Sequence, residues 1–170
     1  MVQASDSTAS RWRTCLHEAG HAVVGRVLLG HTTRAAVFED GWGVADVGDG
    51  GGVPTSPEAA ITVAAGPAAE ALADRFPPPE AAQVQPSPPL EARYPDRAAS
   101  LKADLRTTML DDVAIARWCI AGFESRPLRW TRQYEWVYQQ ADALIRRRRR
   151  EIVSVAKRLF AEGLATLPVA

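Results

Sequence analysis

Two histidines separated by three residues constrain this chain more than any other feature. They lie in the segment HEAGH at residues 17–21, inside a longer stretch, residues 13–30, whose apolar positions recur at helical spacing. Residues four apart on a helix are separated by about 40° around the axis, so His17 and His21 project from one face and can bind a single ion. Glu18 is less well placed to bind that ion and better placed to hold a water molecule beside it.

This segment has two interpretations. In the first, the histidines and the glutamate form an ordinary solvated helix face. In the second, they form an H-E-x-x-H metal site, in which zinc lowers the pKa of a bound water molecule and the glutamate accepts its proton. The same face continues to Val24 and Leu28, where buried imidazoles without partners would lose hydrogen bonds, which favours the metal site. Gly20 costs about 1 kcal/mol of helix propensity and predicts that another chain segment comes close there.

A catalytic zinc site needs a third protein ligand. The extended metzincin pattern requires glycine at position 24 and histidine at position 27, and this chain has valine at both, which excludes that class. A thermolysin-like site takes a glutamate from a downstream helix, within the pattern E-x-x-x-D. Glu70 and Asp74 have this spacing, so Glu70 is one candidate for the third ligand.

Length and composition predict one domain, residues 1–170. The chain has 170 residues and no formal net charge, so nothing draws it as a whole toward nucleic acid or anionic lipid. Its start lacks the apolar core of a secretion signal and no later run is long enough to span a membrane, which predicts a cytoplasmic protein without a membrane partner. Cys15 and Cys119 are too few for a disulfide framework and are expected to be free thiols.

The periodicity predicts a mainly α-helical fold with a small antiparallel β-hairpin. Four helices are expected. The first follows the capping residues Ser7–Ser10 and ends at Gly30, and the second covers about 56–75 and opens with a capping box at Thr55–Glu58. The third covers 96–122, and the fourth runs from Ser125 onward. The hairpin lies between Thr33 and Val47, with its turn at Asp40-Gly41, and is either a plain structural hairpin or an edge strand that holds an extended substrate. Residues 77–95 are rich in proline and are expected to form an insertion loop without regular structure.

Five consecutive arginines, residues 146–150, could contact phosphate groups. On a helix, however, five successive side chains point in all directions and form no continuous stripe. A solvated, ion-paired helix segment is therefore favoured, and the sequence argues against a nucleic-acid partner. An unbroken helix over residues 127–162 would be about 54 Å long, so a break near the arginines is expected.

The order of these motifs resembles the peptidase domain of the FtsH-type AAA zinc metalloproteases. The resemblance rests on HEAGHAVVG in the first helix, the hairpin, AAGPAAEAL in the second helix, and an aspartate that opens an amphipathic helix in LKADLRTTM. It implies a zincin-like metallopeptidase fold. It also implies zinc ligation by His17, His21 and Asp104, with Glu18 as the general base.

The chain departs from that family at three points. Pro67 replaces the arginine that follows the glycine of the second motif, and the proline-rich insertion lengthens the path to the aspartate. Asp112, Asp111 and Glu70 therefore stay open as alternatives to Asp104. No G-x-x-x-x-G-K-[ST] loop and no transmembrane segment accompany the motifs, so the resemblance implies a stand-alone peptidase domain that works without a nucleotide.

The sequence thus predicts a zinc-dependent endopeptidase of the H-E-x-x-H type, with Zn2+ as its cofactor. The expected substrates are peptides or unfolded protein segments, since the chain has no ATP-driven motor of its own to unfold a folded one. The alternative is a catalytically inactive zinc-binding module with an interaction or regulatory role. The identity of the substrate, any activating partner and the oligomeric state stay open.

Overall fold

Helices dominate the chain, and one small sheet accompanies them. The computed structural model describes residues 3–31, 33–46, 54–80, 88, 90–93, 95–96, 99, 111–123 and 127–169. In chain order the elements are α1 (Gln3–Leu29), β1 (Thr33–Val37), β2 (Gly43–Asp46), α2 (Pro57–Glu70), a 3-10 turn (Ala71–Asp74), α3 (Leu90–Arg93), α4 (Asp111–Phe123), α5 (Pro127–Glu162) and β3 (Leu164–Leu167). The predicted class, mainly α with a small antiparallel sheet, is confirmed. None of the helices in the described residues combines the length and the apolar content needed to cross a bilayer.

The two helices α1 and α2 pack closely at the centre of the fold. Their buried residues include Trp12, Leu16, Ala19, Val23, Ala60, Ala64, Ala65 and Ala69. A Cβ atom built on Gly20 would lie 2.5 Å from the Ala65 carbonyl oxygen and 2.7 Å from the Ala69 Cβ. The close approach predicted at Gly20 is therefore confirmed, and α2 is the segment that comes close.

The start of α2 differs by one residue from the predicted capping box. Ser56, and not Thr55, is the cap, because its hydroxyl accepts a hydrogen bond from the Ala59 backbone N–H at 3.1 Å. The α-helix ends at Glu70 and passes into the 3-10 turn Ala71–Asp74. The predicted extent of about 56–75 is therefore close to the observed one.

The three strands form one antiparallel sheet in the order β2-β1-β3. The hairpin of β1 and β2 matches the prediction, with Val37 paired opposite Gly43 and a tight turn that includes Gly41 at a φ of 87°. The third strand was not predicted. This strand, β3, directly follows Gly163, whose φ of 71° ends α5 and turns the chain back toward β1. The sequence did not predict it because four residues are too few to show an alternating pattern.

The predicted break near the arginine run is wrong, because α5 is continuous over 36 residues. No glycine or proline interrupts residues 128–162, and arginine is a good helix former, so the run continues the helix. Arg146 pairs with Asp142 at 2.8 Å, and Arg148 pairs with Glu151 at 3.4 Å. Glu151 also pairs with Arg26 of α1, which ties the long helix to the centre of the fold.

Two other predicted boundaries are wrong. The first helix begins at Gln3, ahead of the residues predicted to cap it, because no glycine or proline interrupts residues 3–10. The insertion at residues 77–95 was predicted to have no regular structure, but it contains the short helix α3. Its sequence, LEAR, contains no proline, and it directly follows Pro89, a residue that favours the start of a helix. The third predicted helix, 96–122, is described over Asp111–Phe123, and residues 100–110 lie outside the described part of the chain.

Replacing Gly20 with alanine tests the packing of α1 on α2. The methyl group adds about 1 kcal/mol of helix propensity. It also meets the Ala65 carbonyl oxygen, so we expect a net loss of about 1–3 kcal/mol in the free energy of unfolding, measured by urea denaturation. Ser10→Ala, at an exposed position of the same helix, is the control and should change that free energy by less than about 0.5 kcal/mol. A Gly20→Ala protein as stable as the control would contradict the close approach.

Candidate metal centre

The imidazole rings of His17 and His21 meet at their Nε2 atoms. These two atoms lie 3.1 Å apart, with the ring planes at 76° to each other. Both rings project from α1 toward α2. The structure thus places on one face the two histidines that the sequence spacing assigned to one face.

The other nitrogen of each ring is held by α2. His21 Nδ1 lies 2.9 Å from the Thr62 carbonyl oxygen, which can only accept, so this nitrogen is the donor. His17 Nδ1 lies 2.7 Å from Glu70 Oε1, and it donates to that carboxylate when Glu70 is ionised. In their neutral forms both rings therefore bear hydrogen on Nδ1 and a lone pair on Nε2.

Two acceptor nitrogens 3.1 Å apart suit a shared cation. Two nitrogens bound to one zinc ion at about 2.0–2.1 Å and tetrahedral angles lie about 3.3 Å apart, close to the observed separation. Histidines that bind metals almost always donate their second N–H to a carboxylate or a backbone carbonyl, and His17 and His21 use one of each. The donor set of this pair therefore fits zinc.

The backbone of Gly66 in α2 lies against the paired Nε2 atoms. A Cβ atom built at this position would clash with His21 Nε2 and would lie 2.7 Å from His17 Nε2 and 2.6 Å from His21 Cε1. Only glycine therefore lets α2 pass this close to the two rings. The glycine of the GPAAE segment thus serves the histidine pair as well as the packing of two helices.

Glu18 lies on a different face of α1 from the pair, under the start of β2. Its side chain is buried, with 6% of the residue exposed. A Cβ atom on Gly43 would lie 2.5 Å from Glu18 Cγ and 2.6 Å from Oε1, so only glycine allows β2 to pass this close to the carboxylate. The histidines thus face α2, and the predicted general base faces the hairpin.

The turn that leads into β2 is bonded to α1. Arg11 donates to the Phe38 carbonyl oxygen at 3.0 Å, and the Thr14 hydroxyl donates to the Gly41 carbonyl oxygen at 3.0 Å. Within the turn, the Phe38 N–H donates to the Trp42 carbonyl oxygen at 2.8 Å. Thr14 lies one helical turn before Glu18, so the same helix that bears the carboxylate also fixes the strand above it.

Of the four candidates for a third ligand, only Glu70 has a described side chain. Asp104 lies outside the described residues, and so do the side chains of Asp111 and Asp112 in the first turn of α4. Glu70 contacts Nδ1 of His17, on the far edge of the ring from Nε2, so its position suits orienting the ring. Within the described part of the chain, no three histidine, cysteine, aspartate or glutamate side chains converge on a site for a metal ion.

Both cysteines are buried free thiols, as expected. Burial raises the pKa of Cys15 to about 12, and it also raises the pKa of Cys119. Cys15, two residues before His17, is fully buried in the core and packs there.

Sequence reasoning missed three of the contacts that shape this site. The Thr62 contact uses a backbone carbonyl and leaves no trace in the residue type. Gly43 could have been noticed, because an isolated glycine at a strand signals a close approach of another group. Thr14 stands one turn before the motif and reads as an ordinary helix residue.

Comparisons of the chain with protein-family models, with curated proteins and with solved structures found no match. The resemblance to FtsH-type peptidases therefore rests on the motifs in the sequence alone. The functional argument rests on the geometry around the histidine pair.

Gly66→Ala tests whether the histidine pair binds a metal. The methyl group would clash with both Nε2 atoms and displace the rings, so we expect zinc affinity to fall by about 10-fold or more, measured by competition with a chromophoric chelator. Ala68→Gly, two residues along the same helix, is the control. It weakens α2 by about 1 kcal/mol but should leave zinc affinity at the wild-type value. Equal zinc affinities for Gly66→Ala and the unmodified protein would contradict the site.

Proposed function

We propose that this protein is a zinc-dependent metallopeptidase that hydrolyses peptide bonds in peptides or unstructured protein segments without using ATP. The observation that supports this best is the pair of Nδ1 hydrogen bonds to Thr62 and Glu70, which leaves Nε2 as the acceptor nitrogen of each neutral ring, with the two Nε2 atoms 3.1 Å apart. Glu18, adjacent to His17 in sequence, supplies a buried carboxylate on the neighbouring face of α1, beneath β2. The motif resemblance to the FtsH-type peptidase domain supports the same assignment.

In this proposal His17 and His21 bind the zinc, together with a third carboxylate ligand, of which Asp104 is the leading candidate. When bound, zinc supplies a Lewis acid that polarises a carbonyl group and lowers the pKa of a water molecule. Glu18 accepts a proton from the attacking water and transfers it to the leaving nitrogen. Glu70 and the Thr62 carbonyl hold the two rings in the required tautomer and orientation.

The hairpin offers a way to hold an extended substrate. In the described sheet, β2 pairs with β1 along one side only, which leaves its other side available to a further strand. A peptide that adds to this edge would form backbone hydrogen bonds beside Glu18, because β2 starts at Gly43 over that carboxylate. Such recognition requires an unfolded segment, which agrees with the substrate class proposed.

Glu18→Gln separates metal binding from catalysis. Glutamine keeps the shape of the side chain and cannot accept the proton, so the variant should retain zinc and lose at least about 100-fold in cleavage of an unfolded, fluorescently labelled protein. Zinc is measured by elemental analysis of the purified chain. Glu135→Gln, on an exposed part of α5, is the control and should cleave normally.

Two results would count against the proposed enzyme. Normal cleavage by the Glu18→Gln variant would show that Glu18 is not the base. Stoichiometric zinc in an unmodified protein that cleaves no unfolded substrate would favour the catalytically inactive zinc-binding module.

Single substitutions identify the third ligand. Asp104→Asn should abolish stoichiometric zinc binding, whereas Asp111→Asn and Asp112→Asn should retain it. Glu70→Gln should weaken zinc binding by about 10- to 100-fold without abolishing it, since it alters a partner of His17 Nδ1 and no ligand. The measurement is zinc content after dialysis. Loss of zinc in Asp112→Asn but not in Asp104→Asn would assign the ligand to Asp112 instead.

A further inference from the structure

Trp42 exposes a large apolar surface next to the candidate site. The residue is 64% exposed, compared with 38% for Trp136 on α5. Tryptophan is usually buried for much of its surface, since its ring gains more from leaving water than most side chains do. This exposed indole belongs to the residue next to Gly43, which covers the predicted general base Glu18. Trp42 is therefore a candidate for binding substrate.

The backbone that bears Trp42 is fixed. Its carbonyl oxygen accepts the Phe38 N–H at 2.8 Å, and the Gly41 N–H donates to the Phe38 carbonyl oxygen at 3.1 Å. The bonds from Arg11 and Thr14 then hold this turn on α1. Little order is therefore lost when a ligand contacts the indole, because its attachment point is already set.

The position of Trp42 relative to Glu18 follows from Gly43. The missing side chain of Gly43 is directed at the Glu18 carboxylate. Trp42 directly precedes β2 and is 64% exposed, so its indole lies away from the buried Glu18 carboxylate. Adjacent Cα atoms are about 3.8 Å apart, so the indole is attached one residue from the strand position that covers the predicted general base.

We propose that Trp42 selects substrates with an aromatic or large aliphatic side chain within about two residues of the bond that is cut. The inference rests on the proposed peptidase function. A peptide paired along β2 alternates its side chains between the two faces of the sheet, so every second side chain near Glu18 passes on the side of the indole. An apolar side chain there removes both its own surface and that of the indole from water, and a small polar side chain does not.

The test compares two unstructured fluorogenic peptides that differ at one residue, phenylalanine or serine, scanned over the positions flanking the cleaved bond. We expect the unmodified protein to cleave the best phenylalanine peptide with a kcat/KM at least about 10-fold above that of its serine counterpart. Trp42→Ala should bring the two values together, mainly by raising KM for the phenylalanine peptide. Trp42→Phe should keep part of the preference.

Trp136→Ala is the matched control, because it removes the other exposed tryptophan at a position on α5, and it should keep the full preference. Zinc content and circular dichroism are measured for each variant to confirm that the site and the fold are retained. Equal cleavage of both peptides by the unmodified protein, or an undiminished preference in Trp42→Ala, would overturn the role of Trp42 and leave the peptidase intact. Failure of the unmodified protein to cut any peptide would overturn both.

Discussion

The close contact between α1 and α2 sets the geometry of everything else at the candidate site. Gly20 allows the α2 backbone at Ala65 to touch α1, and Gly66, one residue further, then faces the two imidazoles. At this distance the Thr62 carbonyl and the Glu70 carboxylate both reach Nδ1 atoms. Bulkier residues at the crossing would move α2 outward and separate those partners. The positions of the two Nε2 atoms, and their role as acceptors in the neutral rings, are therefore a consequence of helix packing.

The periodicity of α1 distributes the chemistry between two neighbours. His17 and His21 face α2, whereas Thr14 and Glu18, which are also four residues apart, face the hairpin. One helix thus presents the paired imidazole nitrogens on one side and, about 100° away, a carboxylate on another. Because His17 and Glu18 are adjacent in sequence, their side chains diverge by this angle and pack against different elements.

The sequence predicted the parts of this arrangement that depend on local patterns. Helical spacing predicted that the two histidine rings would share a face, and a helix-disfavouring Gly20 predicted a close neighbour. Partners that act through the backbone, such as the Thr62 carbonyl, were beyond prediction because residue type does not affect them. The expected break in α5 was wrong for another reason: the length argument ignored that residues 128–162 contain no glycine or proline and that arginine favours helix. The strand β3 is too short for a periodic signal and takes its place from pairing with β1.

Core packing and hydrogen bonds from α2 hold the histidine rings. Zinc sites in very small domains often gain their order from the metal, since the ligands have no fixed positions in its absence. Here Leu16, Ala19 and Ala65 are fully buried around the motif, and α2 bonds to both rings. The cost of ordering the two rings is therefore met by core packing when the chain folds. A cation that binds between them can then contribute its free energy to affinity and catalysis, because little of it is consumed in building the site.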